Sequence, residues 1–193
     1  MSKGAATRDV ILEEAGRLAG HVGLGGLTIG SLATQTELSK SGLFAHFGSK
    51  ESLQLQVLRH TAERFAIEVI RPALREPRGE PRLRALFERW LTWSSDEGGC
   101  LLTASSFELD DQPGPVREQL VTNQRDWMDT IATMFTSGVT EGQFRADADP
   151  RQFAQDLEGV MLAFHVTTRL LRDPDAATRA RRALDVLLTA ARS

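Results

Sequence analysis

Hydrophobic residues recur every three or four positions along most of the chain, a spacing typical of amphipathic helices. The sequence shows neither strand-like alternation of useful length nor Asn-Gly hairpin signals. The pattern therefore predicts an all-α fold. The predicted helices cover roughly residues 7–22, 50–70, 83–96, 101–109 and 116–138, two short stretches between 28 and 50, and two further helices that begin near 150 and 174.

Residues 28–53 predict two short helices held at a fixed angle, followed at once by a third. Ile29 and Leu32 lie on one apolar stripe, the spacing then breaks, and Leu43 with Phe47 begins a second stripe. Two short helices that share a small core in this way form a helix-turn-helix. DNA is accordingly the predicted target.

A polar run, Ser39, Lys40 and Ser41, stands at the predicted start of the second short helix. Small side chains and one cation there could enter a major groove, and the free N–H groups and dipole of a helix start attract phosphate. Gly42 has no side chain and so adds no bulk to the turn. Lys50 lies in the first turn of the next helix. The chain's three lysines all fall within its first 50 residues, so we expect this end to read DNA.

The ordered run from Leu38 to Leu53, LSKSGLFAHFGSKESL, resembles the signature of the tetracycline-repressor-like (TetR) family of bacterial transcriptional regulators. The resemblance lies in about the first 60 residues, and the remainder agrees with the family in length and helical character. It implies that the N-terminal module binds operator DNA through residues of the helix-turn-helix. These candidate DNA-binding residues are Thr28, Ser39, Lys40, Ser41, Gly42, Phe44, His46 and Lys50.

Two positions depart from the family's usual pattern. Family members usually have a tyrosine where Phe44 stands, and Phe44 can keep that residue's packing but not its hydrogen bond to a phosphate. Many members have glycine where Glu37 stands. Glu37 therefore either adopts a left-handed conformation, which costs free energy for a residue with a side chain, or belongs to a turn built differently.

The chain divides into a predicted DNA-binding domain over residues 1–50 and a predicted ligand-binding and dimerisation domain over residues 51–193, with a connecting helix at about 50–70. A segment rich in proline and charge, 71–81, follows that helix. The resemblance implies a homodimer in which the last two long helices pair with their mates. A dimer is also expected because one short recognition helix buries too little surface for tight operator binding.

Composition narrows the class of protein. A chain of 193 residues that is 41% hydrophobic can bury a core, and it has no run of about 18 apolar residues and no signal peptide. We therefore expect a soluble, cytoplasmic protein without a membrane partner. Residues 1–60 carry six basic and five acidic side chains, whereas the whole chain has a net charge of −3, so only the N-terminal module is expected to approach phosphate closely.

Aromatic residues of the C-terminal part suggest an apolar effector pocket. Each could equally be ordinary core, and Trp93, which lies off the main stripe of its helix, is the best candidate for lining a cavity. His165 could be a structural residue or a ligand contact. The candidate ligand-binding residues are Trp90, Trp93, Phe107, Trp127, Met161, Phe164 and His165.

Other polar residues have two possible interpretations. Cys100, the only cysteine, is either a small buried residue or a thiol sensor. A group of acidic residues could favour a cationic ligand or a hard metal ion, or could simply keep turns solvated. This group comprises Asp96, Glu97, Glu108, Asp110 and Asp111.

Catalysis is poorly supported, because the chain contains no zinc-binding His-Glu-x-x-His, no phosphate-binding glycine loop and no nucleophile elbow. We expect no enzyme activity, no cofactor and no metal. The favoured hypothesis is a homodimeric repressor that leaves its double-stranded DNA operator on binding a small, largely apolar effector. The alternatives are a small all-α metabolite-binding protein or enzyme with a vestigial DNA-binding module, and an interaction protein that has lost its ligand pocket.

Overall fold

The computed structural model describes residues 3–96 and 98–192. Regular structure in these ranges is helical, apart from an isolated antiparallel bridge between Phe144 and Arg192. The predicted all-α fold is therefore confirmed. The helices are α1 (Lys3–Val22), α2 (Ile29–Thr36), α3 (Lys40–Phe47), α4 (Lys50–Phe65), α5 (Arg71–Ala73), α6 (Glu80–Ser95), α7 (Leu101–Leu109), α8 (Pro115–Thr140), α9 (Pro150–Arg169) and α10 (Ala176–Ala191).

Helical structure continues past the end of α4. A π-helical turn, Ala66–Ile70, joins α4 to the short α5 without a break. Pro72 lies in the first turn of α5, next to the π-helical turn. The predicted connecting helix at about 50–70 thus consists of α4 and the π-helical turn.

One compact unit is formed by the chain up to Phe65 together with Asp96–Asn123. Within it α1 packs against α2, α4 and α7, and α2 packs against α3. Its buried core combines aliphatic residues of these helices with Leu24 and Leu27 from the α1–α2 loop, both fully buried. The loop is therefore anchored by its own side chains as well as by the helices around it.

The buried face of α1 ends before the helix does. Ile11, Leu12, Ala15 and Ala19 are buried, whereas Val22, in the last turn, is 48% exposed. The chain reverses at Gly23, which has a φ of 77°, so contact between α1 and the core ends one turn before the helix does.

The second compact unit comprises Ala66–Ser95 and Gln124–Ser193, and in it α9 packs along α10. The ring of Phe135 stacks on Phe144 and on Phe153, with centroid distances of 4.5 and 4.3 Å. Glu80 accepts hydrogen bonds from Arg192 at 2.6 and 3.0 Å, which lower the pKa of its carboxyl group. These contacts tie the start of α6 to the end of α10.

The two compact units describe packing, and the division into functional domains at residue 50 stays a prediction. Within the described ranges, no helix is both long and apolar enough to cross a membrane.

Candidate nucleic-acid interface and ligand site

Helix α2 begins with a complete capping box. The Thr28 side-chain oxygen accepts a hydrogen bond from the N–H of Ser31 at 2.9 Å, and the Ser31 hydroxyl accepts one from the N–H of Thr28, also at 2.9 Å. These contacts satisfy two backbone donors that the helix itself cannot pair. The start of α2, where Thr28 is a candidate DNA-binding residue, is thus held in one conformation.

The turn between α2 and α3 contains a strained residue. Glu37 ends α2 with φ 57° and ψ 18°, the left-handed region, and its side chain is exposed. Of the two possibilities that the sequence left open, the structure therefore shows the left-handed one. The turn accepts a conformation that costs a non-glycine residue on the order of 1 kcal/mol.

Helix α3 exposes most of its candidate DNA-binding residues together. Leu43 and Phe47 are 1% and 2% exposed and hold the helix on the core. Ser39 caps the helix by accepting a hydrogen bond from the N–H of Gly42 at 3.1 Å, and a Cβ atom on Gly42 would lie only 3.0 Å from the same hydroxyl oxygen. The exposed residues of α3 are Lys40, Ser41, Gly42, Phe44, Ala45 and His46.

Phe44 and His46 complete this surface. Phe44 is 60% exposed, so its ring belongs to the solvent face of α3 and not to the core. His46 lies in the last turn, with its ring centroid 6.2 Å from that of Phe47. The exposed face therefore carries one lysine, one serine, one histidine and an aromatic ring along eight residues, a mixture suited to a nucleic-acid groove.

Lys50 has an internal partner that the sequence did not predict. Its Nζ atom donates a hydrogen bond of 2.5 Å to the carbonyl oxygen of Gly25, although the side chain is exposed. An ammonium group has three donors, so this contact leaves Lys50 able to bind a phosphate as well. Two further residues that the site prediction missed, Gln54 and Glu108, also bind the α1–α2 loop.

The candidate ligand residues differ in how deeply they are buried. Trp90 and Phe164 are both 3% exposed and meet edge to face, with ring centroids 5.4 Å apart. Met161, one turn before His165 on α9, is buried, whereas Trp93 and His165 are partly buried. Burial and, less strongly, the charge of Arg169 lower the pKa of His165.

Phe107 does not share this environment. It lies on α7 in the first compact unit and is 55% exposed. The periodicity of the sequence cannot reveal this, because it shows which residues share a helix face but not which helices pack together. Cys100, at the start of α7, is buried.

Glu158, a polar residue of α9 that contacts the candidate ligand residue Trp127, was not predicted from the sequence. Its Oε1 atom accepts a hydrogen bond from Gln124 at 2.9 Å, and its Oε2 atom accepts one from the indole N–H of Trp127 at 3.0 Å. Burial raises the pKa of the Glu158 carboxyl group, and the two hydrogen bonds oppose that effect. One feature of the sequence could have indicated Glu158: it is an acidic residue one turn before Met161, on the same face of α9.

An open groove of about 740 Å³ runs between α9 and α10. Small side chains line much of it, and Phe164 contributes from the buried side. The lining residues from α9 are Gln155, Asp156, Gly159, Val160, Ala163, Phe164 and Thr167, and those from α10 are Ala176, Arg179, Ala180, Ala183 and Leu187.

The part of the chain that the structure describes holds no group of three or more His, Cys, Asp or Glu residues arranged to bind a metal ion.

Comparison with known families settles the identity of this arrangement. Residues 11–57 match the family described as bacterial regulatory proteins, tetR family, and residues 79–184 match the tetracyclin repressor-like, C-terminal domain. The chain belongs to the TetR family. It is therefore a DNA-binding transcriptional regulator, and members of the family are generally regulators rather than enzymes.

Solved structures of similar proteins share the fold over nearly the whole chain. A TetR transcriptional regulator from Chloroflexus aurantiacus is 26% identical, with a TM-score of 0.82 and coverage of 98% of this chain and 96% of the other. A putative regulator from Saccharomonospora viridis in complex with choline is 21% identical, with a TM-score of 0.78 and 96% coverage of both chains. AibR in complex with isovaleryl coenzyme A and operator DNA is 20% identical, with a TM-score of 0.70 and coverage of 93% and 94%. None of the curated proteins compared with the chain matches it.

Proposed function

We propose that this TetR regulator is a homodimeric repressor that binds a two-fold operator and leaves it when a small, largely apolar effector binds. The observation that carries the DNA-binding part is the exposed face of α3, held on the core by Leu43 and Phe47. Two copies of α3 about 34–36 Å apart would enter successive major grooves on one side of the duplex.

The roles within the interface follow from chemistry and position. Lys40 and Ser41 stand at the start of α3, where side chains reach base edges. Lys50 provides a cation at the start of α4, where phosphate contacts are expected. The remaining candidates, Thr28, Ser39, Gly42, Phe44 and His46, would contact the DNA backbone or line the groove.

Dimerisation is proposed to use α9 and α10. Glycine and alanine in the groove between them would let a helix from a second copy approach closely. The outer surface of the pair also exposes Val186, which is 61% exposed on α10, and Val166, which is 42% exposed on α9. Burial of these apolar side chains against the mates of α9 and α10 would form a four-helix interface.

The effector is proposed to bind among the aromatic residues of the second compact unit, with Trp90, Trp127, Met161, Phe164 and His165 as contacts. Trp93 is kept as a lining candidate, whereas the exposed Phe107 is the weakest of the set. A mainly apolar site with a few polar groups is the usual composition of a small-molecule pocket. The relatives in complex with choline and with isovaleryl coenzyme A support ligand binding as such.

The functional division is proposed as a DNA-binding domain over residues 1–50 and a ligand-binding and dimerisation domain over residues 51–193. Operator binding places the protein where the chromosome is, so we also propose a cytoplasmic location. No enzymatic step is part of this proposal.

A gel-shift experiment with the region upstream of the protein's own gene tests the proposal. We expect retardation that depends on sequence and decreases steeply with salt, because Lys and Arg contacts release counterions from the duplex. Equal retardation of the upstream region and of random DNA, or no retardation of either one, would contradict the proposed function. Addition of a cell extract fraction of small molecules should then release the operator but leave the protein folded.

A further inference from the structure

Residues 23–26 of the α1–α2 loop are held by side chains from two different helices. The carboxylate of Glu108, in the last turn of α7, accepts a hydrogen bond from the N–H of Leu24 at 2.7 Å and another from the N–H of Gly25 at 2.6 Å. Each oxygen takes one N–H. Consecutive N–H groups that converge in this way form a concave anion-binding site, and here a carboxylate of the same chain occupies it.

The carbonyl groups of the same two residues are held from α4. Gln54, a buried residue, donates from Nε2 to the carbonyl oxygen of Leu24 at 2.6 Å. Lys50 donates from Nζ to the carbonyl oxygen of Gly25 at 2.5 Å. We call Glu108, Gln54 and Lys50 the loop clamp. Leu24 and Gly25 therefore have both of their backbone polar groups held by side chains from α7 and α4.

The glycines of the loop make this approach possible. A Cβ atom built on Gly25 would collide with Oε1 of Glu108, and one built on Gly23 would lie 3.0 Å from both carboxylate oxygens. Gly23 also has a φ of 77°, which a residue with a side chain rarely adopts. The loop sequence is thus matched to a carboxylate at position 108.

The loop leads directly into the DNA-reading helices. Thr28 caps α2 three residues after Gly25, and α2 packs against α3. Any shift of the Leu24 and Gly25 peptide groups would therefore change where α2 begins and how α3 is presented. Glu108 itself lies 84 residues after Leu24, outside the segment in which DNA-binding residues were expected.

We propose that Glu108 is a positioning residue for operator binding: its carboxylate fixes the α1–α2 loop and through it the orientation of α2 and α3. This inference rests on the proposed DNA-binding function and adds a residue that does not touch DNA. A glutamine cannot replace Glu108 fully, because it has only one acceptor oxygen for two N–H donors.

The test compares operator affinities of dimeric, full-length variants by fluorescence anisotropy, with an operator selected by the wild-type protein from random DNA. Glu108→Gln and Glu108→Ala should each weaken operator binding about tenfold. Asp111→Asn is the matched control, since it removes one negative charge from the exposed segment just after α7 without touching the loop. Removal of a negative charge by itself should strengthen binding to DNA, so electrostatics predicts the opposite sign.

A double-mutant cycle separates positioning from general loss of stability. Gly25→Ala places a methyl group against Glu108 and should weaken operator binding by a similar factor, whereas Gly25→Ala combined with Glu108→Ala should be no weaker than either single variant. Hydrogen exchange of the wild-type protein should show protected amides at Leu24 and Gly25, and Glu108→Ala should lose that protection while α4 keeps its own.

Operator affinities within twofold of wild type for Glu108→Gln and Glu108→Ala would overturn the proposal. So would additive losses in the double mutant, or rapid exchange of the Leu24 and Gly25 amides in the wild-type protein. Failure of the wild-type protein to select any operator would instead count against the proposed function. In that case the double-mutant cycle can be measured with the free energy of unfolding. The cycle and the hydrogen-exchange measurements would then still test the loop clamp.

Discussion

Lys50 and Gly25 are joined by a hydrogen bond of 2.5 Å between the Nζ ammonium and the backbone carbonyl oxygen. The contact places the cation at the start of α4 beside the loop that leads into α2. It restricts a side chain that would otherwise move freely, so the charge is held in place before DNA arrives. A restrained cation loses less entropy on binding a phosphate than a mobile one does.

Lys50→Ala should weaken binding to operator and to random DNA by similar factors. A lysine at a helix start is expected to contact phosphate and not bases, so the salt dependence should also become shallower, by about two counterions for a dimer. Lys50→Arg is the control and should retain the salt slope. Anisotropy titrations between low and moderate salt measure both quantities, and a loss confined to the operator would count against a phosphate contact by Lys50.

Lys40 and Ser41 should instead determine which operator is preferred. Both are exposed at the start of α3, and a good base contact discriminates between bases by about 1–3 kcal/mol. Lys40→Ala and Ser41→Ala should change the sequences recovered from a randomised-operator selection, whereas Lys50→Ala should recover the wild-type set. An identical preference profile for all the variants would exclude base contacts by these two residues.

Phe44→Tyr should strengthen DNA binding. Phe44 is 60% exposed on α3, so an added hydroxyl would reach solvent or a phosphate and would not be buried. One neutral hydrogen bond contributes about 0.5–1.5 kcal/mol, and two symmetric half-sites double it. The gain should be equal on operator and random DNA with an unchanged salt slope, because an uncharged donor displaces no counterion. Unchanged or higher dissociation constants in a folded variant would place Phe44 away from the phosphates.

Ala163→Arg should disrupt the dimer. Ala163 is exposed and lines the groove between α9 and α10, where a long cation would prevent a second copy from approaching. Light scattering should report a dimer for the wild type and a monomer for the variant, and operator affinity should fall by at least about a hundredfold, since a single recognition helix binds weakly. Thr133→Arg, at an exposed position of α8 and outside the groove, should remain dimeric. Dimers in both variants would place the interface elsewhere.

Glu158→Gln should flatten the dependence of stability on pH. Burial raises the pKa of Glu158 above its ordinary value of 4.5, so the folded protein holds this proton more tightly than the unfolded chain does. The contribution of this group to the free energy of unfolding is therefore greatest below pH 4.5 and declines as the pH rises through the raised pKa. Glutamine has no charge to desolvate and can still bond Trp127 and a rotated Gln124.

Urea unfolding at pH 5 and pH 8 measures this difference. The stability of Glu158→Gln relative to wild type should increase between the two pH values. Trp127→Phe, which removes one hydrogen bond to the carboxylate, should raise the pKa of Glu158 further and steepen the decline. Parallel pH profiles for wild type and Glu158→Gln would mean that Glu158 is not desolvated in solution.

Local signals in the sequence determined the helices and the helix-turn-helix. Residues 101–109 were predicted as a helix with the bounds that α7 has, because Gly99 before it and Asp110 to Pro115 after it are local features of the chain. The exposed polar positions of α3 were also predictable, since helical spacing separates them from Leu43 and Phe47. Helix caps, turns and hydrophobic periodicity depend on residues that are close together in the chain, so they can be predicted from the sequence alone.

Tertiary structure decided which residues from distant segments meet. Glu108 and Leu24 are 84 residues apart, and Glu158 and Trp127 are 31 apart; no spacing rule connects such pairs. Phe107 and Trp90 looked equivalent as aromatic residues on amphipathic helices, yet one is 55% exposed and the other 3%. Burial and long-range hydrogen bonds depend on which helix faces meet, and the packing of the whole chain sets that choice.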